Sequence, residues 1–225
     1  MTIVNVAKSP FTSAITIALV ATIAGAPGAA QAQSGSGLYG RIDGGYSPSG
    51  EVDITIAAPV GGDVAMDDGF IVSGAVGYAF DGGFRIEGEV SHRANDLKPD
   101  ILNDPGGQIS ATSLMANAYY DFGGQDSRLN PYLGGGVGVA FADLQDSNSR
   151  PLIPVVIDEN ANSLAYQLMA GVAVGLSENV DVDIGYRYFV VSSIKGQAIA
   201  TPTPSIPFKA DAEQHGATIG LRFRF

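Results

Sequence analysis

Charged residues recur at every second position in several stretches of this sequence. Side chains two positions apart lie on the same face of a β-strand, so each stretch would present its charges together. The five cations and six anions in this pattern are Arg41, Asp43, Arg85, Glu87, Glu89, Asp121, Asp181, Asp183, Arg187, Arg222 and Arg224. Their near balance predicts a network of salt bridges in a shared interior.

The two histidines, His92 and His215, are the other side chains with catalytic or metal-binding chemistry. A histidine close to a serine and an acid would suit an acyl hydrolase. Ser91 is adjacent to His92, but successive side chains of a strand point to opposite faces. We therefore expect no catalytic residue, no metal site and no cofactor.

An acidic stretch without a base lies between residues 47 and 68 and contains Glu51, Asp53, Asp63, Asp67 and Asp68. Carboxylate oxygens are ligands for divalent cations, so this stretch could hold such ions. The spacing does not match a calcium-binding loop. We interpret the stretch as a solvated acidic loop, with cation binding as the alternative.

The elements that would position these charges are stretches in which apolar and polar residues alternate. The last one, 215–225, places Leu221, Phe223 and Phe225 on one face and Arg222 and Arg224 on the other. Alternation with a period of two is typical of a β-strand. Eight stretches have this pattern: 38–46, 70–80, 84–92, 109–122, 131–144, 163–176, 180–188 and 215–225.

The connections between these stretches alternate in length. The long ones are 47–68, 93–108, 145–162 and 191–210, and the short ones are 81–83, 123–130 and 177–179. Short turns at one end and long loops at the other are typical of bacterial outer-membrane barrels. The pattern predicts an all-β fold, an eight-stranded antiparallel up-and-down transmembrane β-barrel with apolar faces toward lipid. A soluble β-sandwich or a lipocalin-like barrel is the alternative.

Two apolar stretches, 152–157 and 206–208, fall within the long connections. We expect them to extend the strands above the membrane, and the alternative is a patch for a partner. Aromatic residues fall near both ends of the predicted strands, as two membrane interfaces require.

The amino terminus has the pattern of a secretory signal. Lys8 precedes the apolar stretch 15–24, and the small residues Ala30 and Ala32 follow it. We predict a signal peptide over residues 1–32, cleaved after Ala32, and a barrel domain over residues 33–225.

Composition excludes some classes of function. The net charge is −11, which argues against nucleic acid as a partner, because phosphate binding requires clustered bases. There is no cysteine, so an exported protein of this size must be held together by a closed framework other than disulfides.

The strand pattern, the alternating connections and the closing residues 221–225 resemble the eight-stranded outer-membrane barrels similar to the transmembrane domain of outer membrane protein A and to the opacity-type surface proteins. The resemblance implies that Leu221, Phe223 and the terminal Phe225 form the signal read by the outer-membrane assembly machinery. This sequence ends at its eighth stretch, so no peptidoglycan-binding domain is expected after it.

The function predicted from these features is structural or surface interaction, without enzymatic activity. A monomer in the outer membrane would contact lipid and lipopolysaccharide, and its external loops would be available to a surface ligand. Because the lumen of such a barrel is just wide enough for side chains to fill, we expect the charges to form a plug. A narrow ion-conducting porin is the first alternative, and a lipid A-modifying acyl hydrolase is the second.

Overall fold

The computed structural model describes residues 36–56, 60–97, 107–123, 128–146, 155–157, 163–198 and 206–225. The predicted signal peptide, with Ala30 and Ala32 at its cleavage site, lies outside these residues. Within the described ranges, no helix has the length and hydropathy needed to span a membrane.

The described chain consists of β-strands joined by turns. The strands are β1 (Gly37–Ile56), β2 (Val60–Ala79), β3 (Phe84–Leu97), β4 (Gly107–Asp121), β5 (Leu129–Asp146), β6 (Val155–Ile157), β7 (Ser163–Gly175), β8 (Val180–Ala198) and β9 (Ile206–Arg224). All pairings between them are antiparallel.

Eight of these strands close into a barrel. The ring contains every strand except β6, and each of its strands pairs with the next one in the ring, so β5 pairs with β7. Strand β9 pairs with both β8 and β1 and closes the ring. The short strand β6 pairs with the outer end of β8, where Val155 lies opposite Ala198. The ring has no open edge, which is the condition for strands to span a membrane. The predicted eight-stranded antiparallel barrel is confirmed.

The short turn between β2 and β3 shows why the hairpins at this end are tight. Gly82 and Gly83 have φ angles of 88° and 87°, in the left-handed region that glycine adopts without strain. The amide of Phe80 donates a hydrogen bond to the carbonyl of Phe84 at 2.8 Å and closes the turn. We assign this end, which also holds both ends of the barrel chain, to the periplasmic side, as in outer-membrane barrels.

The two faces of the strands meet different surroundings. Large apolar side chains on the outer face are exposed, for example Leu164 at 61% and Val137 at 62%. Charged side chains on the inner face are buried, for example Arg41 at 3% and Glu89 at 0%. This is the reverse of a soluble protein and is the distribution that a lipid environment requires.

Exposed aromatic side chains form a belt at each end of this apolar surface. The periplasmic belt contains Tyr78, Phe80, Phe84, Tyr120, Phe122 and Phe225, and the outer belt contains Tyr46, Phe70, Phe141, Tyr166 and Tyr186. Two aromatic belts separated by aliphatic residues match the two interfaces of a bilayer.

The strands are longer than the sequence predicted, and the prediction of a long first loop was wrong. Strands β1 and β2 pair from Gly37 opposite Ala79 to Ile56 opposite Val60. The five acids assigned to a loop therefore lie on strands: Glu51 and Asp53 on β1, and Asp63, Asp67 and Asp68 on β2. Residues 93–97, 191–198 and 206–210, which we expected in loops, also belong to strands.

Register shifts explain why the alternation did not reveal the extensions of β1, β2 and β8. Pairing shifts between Tyr46 and Ser49 on β1, between Met66 and Gly69 on β2, and between Val191 and Ile194 on β8. One extra residue in a strand moves the following side chains to the opposite face. The apolar stretch at 206–208 is part of β9, so strand extension is confirmed for it. Residues 155–157 instead form the separate short strand β6, which pairs with β8. Residues 152–154 lie outside the described ranges.

Candidate functional site

The centre of the lumen is organised around Arg41 on β1. Its Nη2 lies 2.6 Å from Glu87 Oε1 and 3.0 Å from Glu89 Oε2, both on β3. Its Nε donates to Glu87 Oε2 at 3.1 Å, and its Nη1 lies 2.7 Å from Asp43 Oδ2. The contact with Glu87 is bidentate, which is the strongest arrangement of an arginine–carboxylate pair.

Arg187 on β8 completes this central group from the opposite wall. Its Nη1 lies 2.7 Å from Glu89 Oε1, and its Nη2 lies 3.2 Å from Asp43 Oδ2. Ser73 also donates a hydrogen bond to Asp43, at 2.7 Å. Two arginines therefore join three carboxylates across the full width of the barrel.

A second set of ion pairs lies nearer the periplasmic end. Arg85 forms a bidentate pair with Asp121. Its Nε donates to Asp121 Oδ2 at 2.7 Å, and its Nη2 donates to Asp121 Oδ1 at 2.8 Å. Arg222 pairs with Asp183, and Arg224 Nη2 lies 3.0 Å from Asp181 Oδ1. Each of these pairs joins neighbouring strands.

Aromatic rings separate the periplasmic pairs from the central group. The guanidinium carbon of Arg85 lies 4.5 Å from the ring centroid of Tyr119 and 5.5 Å from the centroids of Tyr39 and Tyr132. A guanidinium over an aromatic face is attracted by the ring quadrupole, more strongly when both are desolvated. Arg85 is therefore held by the rings as well as by Asp121.

Glycines on β5 leave room for these rings. A Cβ at Gly134 would lie 2.3 Å from Tyr119 Cδ1, and a Cβ at Gly136 would lie 1.9 Å from Asn117 Oδ1. Real Cβ atoms do not approach other atoms so closely, so these strand glycines are required by close packing. Between Tyr132 and Ala140 the inward positions of β5 are all glycines, so large side chains from β4 fill this part of the narrow lumen.

A sixth cation, Arg93, was not among the predicted lumen residues. It is buried and donates hydrogen bonds to Ser91 at 2.9 Å, to Ser113 at 3.2 Å and to Gln167 at 3.3 Å. Its guanidinium carbon lies 3.6 Å from the ring centroid of Phe189. The sequence pattern places Arg93 in a loop, although Arg93 continues the inward-facing series of β3 at positions 85, 87, 89 and 91. With Arg93, the described lumen holds six cations and six anions.

An apolar cluster begins at Met115, which lies opposite Glu89, and continues to the outer parts of the strands. Its buried members are Val52, Met66, Met115, Ala140, Ala165, Phe189, Val191, Ile194 and Ala210. Val52, Met66 and Ile194 point inward because they lie beyond the register shifts. We call these nine residues the apolar cap. Its members Val52, Met66, Ile194 and Ala210 lie on the outer parts of the strands, beyond the charged residues.

The structure brings all eleven predicted lumen residues inside the barrel. Ten of them are buried, and the side chain of Arg224 is 36% exposed at the periplasmic end. Eight salt bridges connect them. Because opposite charges are in direct contact throughout, the arrangement can hold the barrel walls together without a ligand.

The histidines are separated from the charged lumen. His92 Nδ1 lies 3.1 Å from Thr112 Oγ1, and His215 Nδ1 lies 2.6 Å from the Tyr186 hydroxyl. The hydroxyl of Ser91 points into the lumen and lies 2.7 Å from Ser113 Oγ. His92 and Ser91 are thus on opposite sides of the wall. Among the described residues, no group of three histidines or acids is placed to hold a metal ion.

The terminal strand closes the barrel. Leu221 and Phe225 point outward, Phe223 is partly buried, and Phe223 lies opposite Gly40 of β1. The amide of Phe225 donates to the carbonyl of Leu38 at 3.0 Å. The residues of the predicted assembly signal therefore lie at the seam between the first and last strands.

The outer membrane protein beta-barrel domain family matches residues 16–225. The chain belongs to this family. Its location in the outer membrane follows from this membership together with the lipid-facing apolar surface.

Solved structures of low sequence identity share the fold. The outer membrane protein OprG of Pseudomonas aeruginosa aligns over 85% of this chain and 98% of its own, with 18% identity and a TM-score of 0.60. Neisserial surface protein A aligns over 85% of this chain and 100% of its own, with 21% identity and a TM-score of 0.51. The outer membrane protein AlkL aligns over 88% and 95%, with 14% identity and a TM-score of 0.57.

Sequence relatives match a smaller part of the chain. An uncharacterized protein of Brucella abortus (strain 2308) is 30% identical over 108 residues, and so is one of Brucella suis biovar 1 (strain 1330). The match covers 45% of this chain and 38% of each relative. This chain therefore matches well under half the length of these relatives.

Proposed function

We propose that this protein is a closed outer-membrane barrel that serves envelope structure and surface interaction and does not conduct ions. One observation carries the proposal: the lumen is occupied by buried ion pairs at its centre and by apolar side chains farther toward the outer end. The central ion pairs span the barrel from Arg41 to Arg187, and the apolar cap lies beyond them. An ion on its way through the barrel would have to displace both.

The charged filling resists opening because its members are buried. Removing one partner of a buried pair costs roughly 3 to 5 kcal/mol, since the other charge is left uncompensated. Glu89 contacts both Arg41 and Arg187, so separating the two sides of the group would break several pairs together. The same contacts stabilise the barrel walls, which is the structural part of the proposed role.

Surface interaction is assigned to the strand extensions beyond the outer aromatic belt. The extended parts of β1, β2 and β9 carry exposed acids, namely Glu51, Asp53, Asp67, Asp68, Asp211 and Glu213. They belong to a paired sheet, so they form a preorganised acidic surface. A surface ligand with basic groups suits this charge, and lipopolysaccharide in the outer leaflet is the neighbouring lipid.

Export and assembly complete the proposal. The protein would be exported through a signal peptide cleaved after Ala32 and inserted, as a monomer, by the assembly machinery that reads Leu221, Phe223 and Phe225. Their position at the closing seam supports this role, because β9 pairs with β1 there and closes the barrel.

Planar-bilayer recording tests the closed lumen. We expect the refolded protein to show no steady openings, and Phe189→Ala to remain silent because the central ion pairs persist. Arg41→Ala combined with Phe189→Ala removes parts of both fillings and should produce openings. Steady ion-selective currents from the unmodified protein that disappear on Arg222→Ala would establish the narrow porin instead.

The narrow porin is kept as the second candidate because the lumen wall is charged over much of its length. Its distinguishing requirement is that the central pairs exchange partners while an ion passes. For the acyl hydrolase, incubation with lipid A gives the direct test. We expect no released acyl chains, and release that His215→Ala abolishes would contradict the non-enzymatic role.

A further inference from the structure

The register shifts in the described strands lie at one level of the barrel. They begin nine residues from the periplasmic end of β1, at Tyr46, ten residues from that of β2, at Gly69, and eleven residues from that of β8, at Val191. Tyr46 and Phe70, the neighbour of Gly69, belong to the outer aromatic belt. The shifts therefore begin at the outer belt.

The two faces of these strands exchange their residue types at the shifts. Before the shift on β1, Ile42 is exposed and Asp43 is buried. Beyond it, Asp53 is exposed and Val52 is buried. The corresponding buried apolar residue and exposed charged neighbour beyond the other two shifts are Met66 and Asp67 on β2 and Ile194 and Lys195 on β8. Beyond the shifts, the inner face of these strands is therefore apolar and the outer face is charged.

Strand β9 changes at the same level without a shift. Its outward positions carry Ile219 on the periplasmic side of Ala217, and Glu213 and Asp211 on the other side. Ala217 lies opposite Tyr46, next to the shift on β1. The outer face therefore changes from apolar to charged residues at one level on four neighbouring strands, β8, β9, β1 and β2.

Hydrogen bonds between side chains and backbone support each shift. They run from Ser47 Oγ to the His215 carbonyl at 2.8 Å, from Asn95 Nδ2 to the Asp67 carbonyl at 3.0 Å, and from the Ser193 amide to Asp211 Oδ1 at 2.7 Å. An extra residue interrupts the backbone ladder of a sheet, and backbone polar groups need other partners where the ladder is broken. Ser193 also has a φ angle of 63°, in the left-handed region that residues other than glycine seldom adopt. Specific contacts therefore hold the shifts in place.

A strand that passes from lipid into water has to exchange its two faces. Apolar side chains face outward in lipid, whereas in water the hydrophobic effect favours placing them inside. Because side chains alternate along a strand, one extra residue moves all the following side chains to the opposite face. Three such shifts at one level are what a boundary between lipid and water requires of these strands.

We propose that the register shifts mark the outer surface of the membrane on this barrel, and that the strands beyond them form a water-exposed wall with an apolar interior. We call the parts of β1, β2, β8 and β9 beyond this level the outer wall. Val52, Met66, Ile194 and Ala210 form its interior, so this part of the apolar cap lies outside the bilayer. The inference holds whether or not the lumen conducts ions, and it does not depend on the ligand of the acidic surface.

Spin labels on single cysteines test the boundary, because the chain has no cysteine of its own. Ile42→Cys carries a label on the outer face before the β1 shift, and Glu51→Cys and Asp53→Cys carry labels on the outer face beyond it. In lipid bilayers, we expect dissolved oxygen, which concentrates in lipid, to relax the label at position 42 more than a nickel chelate in the water does. The opposite order is expected at positions 51 and 53. Lipid contact at either of these two positions would overturn the boundary.

Val52→Cys, between these two positions, tests the interior of the outer wall. We expect a thiol reagent dissolved in the water to react with it about tenfold or more slowly than with Asp53→Cys, because a buried thiol reacts only when the wall opens locally. Equal reaction rates at the two positions would show that the strands beyond the shift do not form a wall with a packed interior.

The bond between the Ser193 amide and Asp211 provides a matched pair of variants. Asp211→Ala and Asp211→Asn both remove the charge, but only asparagine keeps an oxygen that can accept this hydrogen bond. Hydrogen–deuterium exchange of residues 194–198 should be about fivefold faster in Asp211→Ala than in Asp211→Asn, the factor for one net hydrogen bond. Exchange of residues 181–189, within the membrane, should be the same in both variants.

Two results of this exchange measurement would contradict the proposal. Equal exchange of residues 194–198 in the two variants would show that the bond does not hold the shift. An equal acceleration of residues 181–189 and 194–198 in Asp211→Ala would show that the strand opens as one unit, without an outer wall that is separate from the membrane part.

Discussion

The guanidinium carbon of Arg93 lies 3.6 Å from the ring centroid of Phe189, at the boundary between the charged lumen and the apolar cap. The hydroxyls of Ser91 and Ser113 bind the same guanidinium from the polar side. One residue pair therefore joins the two fillings. Because Arg93 has no salt bridge among the described residues, the ring supplies a large part of its environment.

The Arg93–Phe189 contact should make Phe189 important for stability. We expect Phe189→Ala to lower the free energy of unfolding by roughly 3 to 5 kcal/mol, because it leaves a cavity in the cap and removes the ring that contacts the Arg93 guanidinium. Urea unfolding of the refolded protein measures the change. Val137→Ala on the lipid face should cost less, because lipid can occupy the space that it leaves. Similar losses for the two variants would contradict a packed cap.

The pair of Arg41 and Glu87 should show strong energetic coupling. Arg41→Met alone leaves carboxylates buried without their cation and should destabilise the barrel by roughly 3 to 5 kcal/mol. Glu87→Gln removes one of those charges, so the double variant should lose less than the sum of the single losses. A double-mutant cycle on unfolding free energies measures this coupling. Additive losses would show that the two side chains do not interact in the folded protein.

Two strand glycines provide a matched test of the packed lumen. A Cβ at Gly138 would lie 2.1 Å from the carbonyl oxygen of Leu114, whereas a Cβ at Gly44 would have no atom within 4 Å. We expect Gly138→Ala to destabilise the barrel by about 1 to 3 kcal/mol, the range for an overpacked site. Gly44→Ala should be neutral or slightly stabilising. Equal effects in thermal unfolding would argue against the close approach of β4 and β5.

The extended parts of β1 and β9 place like charges opposite each other. Asp53 lies opposite Asp211 on β9, and like charges directly opposite destabilise a sheet. We therefore predict that Asp53→Lys raises the free energy of unfolding by roughly 0.2 to 1 kcal/mol for each pair formed. The gain should shrink at high salt. Asp81→Lys in the exposed turn is the control, and no difference between the variants would place Asp53 outside a paired strand.

The terminal aromatic residue should matter for assembly more than for folding. We expect Phe225→Ala to reduce the amount of folded protein in the outer membrane, while refolding into detergent remains efficient. Phe122→Ala, at another exposed aromatic of the periplasmic belt, should assemble normally. Equal membrane levels for the two variants would exclude Phe225 as part of the assembly signal. Heat-modifiable migration on a gel separates the folded from the unfolded protein.

Much of the barrel could be predicted from the sequence because the alternation of side chains along a strand is a local property. Strand residues alternate between two faces, so Glu87 and Glu89 were assigned to one side and Phe84 and Ile86 to the other without any long-range information. The number of strands followed from the turns between them. The same local rule assigned Arg222 and Arg224 to the lumen and Phe225 to the lipid side.

Tertiary structure alone decided where the strands end and which charges meet. The extra residues on β1, β2 and β8 invert the alternation, and they are accommodated by pairing with neighbouring strands that are distant in sequence. Val52, Met66 and Ile194 therefore form a cap that a local pattern does not reveal. The partners of Arg41 and Arg187 depend on the curvature and register of the closed ring. Arg93 was missed because the extent of β3 is set by its pairing with β4.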